Sequence, residues 1–324
     1  MTINTILITG CTKGIGRALA LRFSQENCKV YAVGRTQKQL DSLTKLSERI
    51  HPICADITTP VGRNDIYHAL KDEPSFSIIH NAGVAVPCSF ENMEEASLRL
   101  HFETNFFGPL LLTQRFLKQL QGQRVLNISS GAALMALENK LPYCTSKGVM
   151  HHAIECLHKE LAKQGVYFTN LRPGMVDTPL QESLRNMSLE ALPTRDFYIR
   201  AKTEGRLISP EKVAEFVARV MLKTSNQDFA ENFWDIDGST PCTKDSKKLI
   251  SGGFTVQQAE TQAAVMLDVI EDQLATKRDL KELEVKLETK MVEMESRLLI
   301  RLGAMIFSGL IVCTTILGIL ITHH

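Results

Sequence analysis

Seven short runs of branched and aliphatic residues, spaced over the first 240 positions with helix-like stretches between most of them, constrain this chain more than anything else in it. Ile6-Leu7-Ile8, Val30-Tyr31-Ala32-Val33, Ile53-Cys54-Ala55, Ser77-Ile78-Ile79, Arg124-Val125-Leu126-Asn127-Ile128, Tyr167-Phe168-Thr169-Asn170-Leu171 and Phe233-Trp234-Asp235-Ile236 read as strands. Ile15 to Glu26 and Ser146 to Lys163 are among the stretches that read as helices. Apolar strands alternating with helices predict a parallel sheet covered on both faces, because right-handed crossovers place the helices there. The expected fold is a doubly wound α/β domain with a seven-stranded parallel sheet, occupying residues 1–240.

Composition narrows the classes. The chain has 324 residues, 44% of them hydrophobic, so a large core is available and global disorder is excluded. Lys and Arg number 37 against 36 Asp and Glu, a net charge of +1 that offers no basic excess for nucleic acid. The eight cysteines contain no C-x-x-C pair, which argues against a zinc site or a disulfide framework and suits a reducing compartment. No metal is expected. Met1 to Gly10 runs straight into a strand with no basic leader, so no export signal is expected.

Past residue 240 the pattern changes. Residues 241–254, with Pro241 and Gly252-Gly253, read as a linker, and 255–301 as a helical, coiled-coil-like stalk. Thr276-Lys277-Arg278-Asp279 fits a capping box at a helix start. From there Leu280, Leu283, Leu287, Met291, Met294, Leu298, Leu302 and Met305 recur at steps of three and four, an eleven-residue period that favours a nearly straight bundle. The stripe suits self-association or a helix lying on its own domain. Residues 302–321 carry no charge and match the ~20 residues that span a bilayer. Arg297 and Arg301 precede this segment and no Lys or Arg follows. The expectation is one C-terminal transmembrane anchor with the large domain on the cytoplasmic side.

The chemistry lies in the first domain. Thr9-Gly10-Cys11-Thr12-Lys13-Gly14-Ile15-Gly16 follows the first strand and opens a helix. Such a loop lets backbone amides approach a pyrophosphate. By itself it is weak evidence. Further along stand Asn81-Ala82-Gly83, Asn105, Asn127-Ile128-Ser129-Ser130, Tyr143-x-x-x-Lys147 and Pro173-Gly174-Met175-Val176-Asp177-Thr178. This ordered set resembles the short-chain dehydrogenase/reductase family over residues 3 to about 238, with His80 in place of the first Asn of the family's N-N-A-G. The resemblance implies a Rossmann-type domain and an oxidoreductase with Asn105, Ser130, Tyr143 and Lys147 as catalytic residues. It also implies that the glycine loop, Asn81-Ala82-Gly83, Lys147 and the Pro173–Thr178 stretch line the cofactor, with Asp56 contacting adenine.

Spacing gives these assignments physical sense. Tyr143 and Lys147 are four apart on one helix, so an ammonium can sit by the phenol and lower its pKa from about 10. Ser130 would hold the substrate oxygen as charge develops; the family's serine-to-tyrosine separation selects it over Ser129. The second strand ends Val33-Gly34-Arg35-Thr36 without an acid. With Lys13, Arg35 predicts NADP(H), since a basic residue there receives the 2′-phosphate. Asp56 could equally cap a helix.

Residues 178–209 are expected to cover the substrate. Within them, and in Gly205 to Glu211, the chain resembles the sepiapterin reductase and benzil reductase branch, which implies reduction of ketones or vicinal dicarbonyls. In that branch Asp235 would anchor substrate, although a turn accounts for it equally well. Leu180, Leu184, Met187, Leu189, Leu192, Phe197 and Tyr198 give an apolar lid. Two other readings stay open: a membrane-bound reductase of lipid ketones, sterols or retinoids, and an NADPH-sensing scaffold. The second draws on the tail, which resembles small coiled-coil, single-span membrane proteins. The expected partners are a small carbonyl compound, a membrane and a second copy of the chain, as a homodimer or higher oligomer.

Overall fold

The computed structural model describes residues 3–232 and 234–236. The linker at 241–254, the stalk at 255–301 and the apolar span at 302–321 lie outside the described residues. Among the described residues no helix is long and apolar enough to cross a membrane.

Seven parallel strands form one sheet in the order β3-β2-β1-β4-β5-β6-β7. They are β1 (Thr5–Thr9), β2 (Lys29–Gly34), β3 (Ile50–Cys54), β4 (Ser77–His80), β5 (Arg124–Ile128), β6 (Tyr167–Arg172) and β7 (Trp234–Asp235). The helices are α1 (Gly14–Gln25), α2 (Gln37–Thr44), α3 (Pro60–Leu70), α4 (Glu95–Phe102), α5 (Gly108–Arg115), α6 (Leu141–Leu161), α7 (Pro179–Arg185), α8 (Arg195–Thr203), α9 (Pro210–Lys223) and α10 (Asn226–Glu231). All seven expected strands are present. The order reverses direction beside β1, and ligands of such sheets bind at the carboxyl ends of the strands near that switch point.

Strand alternation sorts the core into two layers. Ile6 and Ile8 of β1, Val30 and Ala32 of β2 and Leu126 of β5 join Leu19, Phe23, Val213, Val217 and Met221 from α1 and α9 on one face. Leu7, Tyr31, Ile78 and Val125 point the other way, onto Ile66, Leu112, Phe116, Met150 and Ile154 from α3, the α5 region and α6. Fully burying a side chain such as Phe23 contributes on the order of 1.5–3 kcal/mol. Arg124, also fully buried, donates to the carbonyls of Met221 and Thr224 and to the Asn226 side chain, at 2.7–3.0 Å, tying the α9–α10 turn to β5.

Two local features differ from the sequence reading. Helix α6 starts at Leu141 rather than Ser146, because Pro142 sits in its first turn, where a missing N–H costs nothing. Asn105 lies in a π-helical turn, Glu103–Phe107, between α4 and α5.

Candidate active site

At the carboxyl end of β1 the chain makes a tight turn into α1, with Gly10 at φ 74° and Gly14 at φ 56°. A Cβ on Gly16 would collide with the Gly10 carbonyl and the Asn81 amide, so this helix start lies against the β4 exit. Thr9 Oγ1 accepts from the N–H groups of Asn81 and Ala82, both at 3.1 Å, and Asn81 Nδ2 donates back to the carbonyls of Thr9 and Gly10. Lys13, the exposed residue preceding α1, contributes no side-chain cap. The first-turn amides of α1 are therefore not satisfied by their own N-cap side chain, which fits a pyrophosphate-sized anion. Thr178 closes the cradle from above: its Cγ2 is 3.2 Å from where a Cβ on Gly14 would stand, and its Oγ1 accepts from Gln181 N–H at the start of α7. Gly174, at φ 68°, turns the chain after β6, and Val176 bridges to Ile208.

Arg35 and Asp56 leave β2 and β3 side by side. Their charged groups are 3.8 Å apart and both are largely solvated, so the pair is weak. Asp56 Oδ1 accepts from Thr58 N–H and Oγ1, and Thr59 caps α3. The helix-start role and a position beside the nucleotide cradle thus coexist. A carboxylate that the strand ending in Arg35 lacks is supplied by its neighbour.

The four candidate catalytic residues converge at the ends of β4 and β5. Tyr143 faces Ser130, whose hydroxyl eases ionisation of the phenol, and Ser130 Oγ accepts from Ala132 N–H at 3.2 Å. Ser129 is directed elsewhere, with its Oγ 3.0 Å from His151 Nδ1 in the core. Lys147 Nζ donates to the Ile128 carbonyl at 2.8 Å. Asn105 Oδ1 accepts from Val84 N–H, while its Nδ2 donates to the Val84 carbonyl and to Ser146 Oγ, all at 3.0 Å. Gly83 joins the two groups: a Cβ there would stand 3.3 Å from Asn105 Oδ1 and 3.5 Å from Lys147 Nζ. Ser146 was missed by sequence reasoning, although its position between Tyr143 and Lys147 places it on α6.

Electrostatics correct one expectation. Tyr143 is not lowered by Lys147; desolvation raises its pKa, only partly offset by the Ser130 hydrogen bond. Burial also lowers Lys147, to about 8. For both groups the cost of removing charge from water is the dominant cause.

Asp235 is not free to meet a ligand by its sequence position alone. It sits on β7, buried, and forms an ion pair with Arg172, its register partner on β6. Leu184 and Leu192 of the expected lid are buried, Leu189 is exposed, and Tyr198 turns its hydroxyl to Lys140. His101, on α4, accepts at Nε2 from Val86 N–H at 3.0 Å while its Nδ1–H donates to the Ser97 carbonyl. Sequence reading had singled out neither Lys140 nor His101.

Comparison with known proteins agrees with this geometry. A benzil reductase ((S)-benzoin forming) of Bacillus cereus is 29% identical over 233 residues, covering 67% of this chain and 93% of that protein. The crystal structure of a 3-ketoacyl-(acyl-carrier-protein) reductase from Brucella melitensis complexed with NADH superposes with a TM-score of 0.62 at 23% identity, over 73% of this chain and 98% of the other. An L-sorbose reductase from Gluconobacter frateurii complexed with NADPH and L-sorbose gives 0.65 at 18% identity, over 75% and 98%. The family described as short chain dehydrogenase matches residues 4–189, more than half of the sequence. Motifs, sheet order and match coincide, and the chain belongs to the short-chain dehydrogenase family of oxidoreductases acting on carbonyl and hydroxyl groups.

Proposed function

We propose that this protein is an NADPH-dependent carbonyl reductase of small ketones or dicarbonyls, held to a membrane by its C-terminal segment. The observation that carries the reading is the meeting of Asn105 and Lys147 at Gly83, with Lys147 bonded to the end of β5 and Tyr143 and Ser130 facing each other beside it. When bound, NADP(H) supplies the hydride. The chain's own groups do the rest. Ser130 Oγ–H holds the substrate oxygen, and Tyr143 gives it a proton. A raised phenol pKa suits that direction, because Tyr143 stays protonated at neutral pH. Lys147 holds the ribose, and Asn105, clamped by Val84 and Ser146, positions a water that relays protons to it.

Arg35 and Lys13 support NADP(H) over NAD(H), since both put positive charge where a 2′-phosphate would lie; Asp56 accepts the adenine side. Thr9, Gly10, Gly14, Ile15, Gly16, Asn81, Ala82, Gly83, Pro173, Gly174, Val176 and Thr178 make up the remaining cradle. Similarity to a benzil reductase supports a carbonyl flanked by a second polar group. Exposed Leu100, Phe107, Leu111 and Val149, on or beside the helices that carry Asn105 and Lys147, support a homodimer through that face. The uncharged 302–321 segment supports a single-pass anchor with the reductase domain in the cytoplasm.

The test is NADPH oxidation by the detergent-solubilised full chain against a diketone, sepiapterin and a long-chain ketone. Turnover of a soluble carbonyl, faster with NADPH than NADH and reduced at least 100-fold or so by Tyr143→Phe, is expected. Tight NADPH binding with no turnover of any of the three would reject the reading.

A further inference from the structure

Lys140, the residue immediately before α6, is 4% exposed, and no carboxylate pairs with it among the described residues. Its Nζ donates to the Tyr198 hydroxyl on α8 and lies 4.2 Å from the centroid of that ring. Burial pulls its pKa down to about 8. Burying a cation without an anion is unfavourable, and fastening the lid does not require one. Asn139 already fastens it, donating from Nδ2 to the carbonyls of Glu190 and Ala191 at 3.1 and 3.2 Å.

Position and donor count indicate what the pair faces. Lys140, Tyr143 and Cys144 are three and four residues apart at the start of α6, on one face, and Cys144 N–H bonds the Lys140 carbonyl at 2.9 Å. Lys140 therefore holds the Tyr198 hydroxyl on the Tyr143 side of the lid, where burial above all, and then the neighbouring Tyr143 and Cys144, push the Tyr198 pKa up to about 12. An ammonium has hydrogens to donate and no lone pair to accept. Tyr198 Oη must accept from it, which leaves the phenolic proton for another acceptor, and no acceptor for that proton stands among the described residues.

We propose that Tyr198, oriented by Lys140, donates a hydrogen bond to a second oxygen of the substrate, next to the carbonyl engaged by Ser130 and Tyr143. The site then selects ketones that carry a vicinal carbonyl or hydroxyl. This rests on the reductase reading above and adds the residue that selects among its substrates. Tyr198 is the specificity-determining residue; Lys140 is a positioning residue.

The experiment compares kcat/KM of the full-length chain in detergent for benzil and for deoxybenzoin, which has the same skeleton without the second oxygen. Tyr198→Phe keeps the ring over Lys140 and removes the hydroxyl, which is both the donor to substrate and the acceptor for Lys140. It is expected to lower kcat/KM for benzil roughly tenfold and to leave deoxybenzoin nearly unchanged. Lys140→Met should reduce the same ratio, and Lys140→Arg should restore part of it. An equal fall on both ketones would make the pair a structural latch and overturn the proposal; so would an unchanged benzil rate in Tyr198→Phe. Tyr143→Phe, run alongside, separates the two readings. If that variant still reduces benzil at the wild-type rate, the reductase mechanism fails whatever Tyr198 does.

Discussion

Two ionisations at the site are displaced from their solution values by the same cause. Burial raises the Tyr143 phenol and lowers the Lys147 ammonium to about 8. Below that pH Lys147 is charged and can hold a ribose and stabilise a developing phenolate; above it the amine is neutral and that stabilisation is lost. Reductase kcat/KM is therefore expected to be flat near neutrality and to fall as pH rises past about 8. In Lys147→Arg, which remains charged, the alkaline limb should move upward even where the plateau is lower. A pH–rate series from roughly 6 to 10 checks this, and an unmoved limb would assign the fall to another group. Side-chain identity at Tyr143, Lys147 and Ser130 was legible because the family motif fixes their separations. Their pKa directions were not, since desolvation depends on what packs around a group rather than on its sequence neighbours. His80 is a parallel case. It replaces an Asn, is fully desolvated at the end of β4, and burial lowers it to about 3, so it serves as a neutral partner of Thr113 Oγ1 at 2.7 Å.

At the level of elements, the strands were readable because each is a short, nearly continuous apolar run. The turn that carries Asn105 was not. A π turn leaves no periodic signature in sequence, and here it is closed by Gly108 N–H reaching back to the Glu103 carbonyl. A Cβ on Gly108 would stand 2.9 Å from that oxygen and 3.0 Å from the Ile57 carbonyl, both rigid backbone. Gly108→Ala is expected to destabilise the domain by about 1–3 kcal/mol and to lower turnover by displacing Asn105. Thermal melting and steady-state kinetics on one preparation check both; a variant with wild-type Tm and rate would show that the turn tolerates the methyl group. The Lys140–Tyr198 contact was equally hidden, since 58 residues and the starts of α6, α7 and α8 separate its members. Helix α6 extends to Leu141, ahead of the expected Ser146, with Pro142 in its first turn.

On the scale of the whole molecule, the catalytic domain and the tail make separable demands. If the 302–321 segment anchors the protein, the full chain should stay with membranes after alkaline extraction while a 1–301 truncation is released. Sedimentation after such extraction decides the matter, and release of the full chain would remove the anchor from the proposal. The domain itself has a different constraint, set by α1 packing on α9. The helix that opens the glycine turn begins at residue 14, and its main apolar partner begins at residue 210. During synthesis α1 can pack on β1 and β2 early, but the outer side of Leu19 and Phe23 stays uncovered until α9 has left the ribosome. Completion of the layer beneath the glycine turn therefore falls late in synthesis, when residue 210 and beyond have emerged.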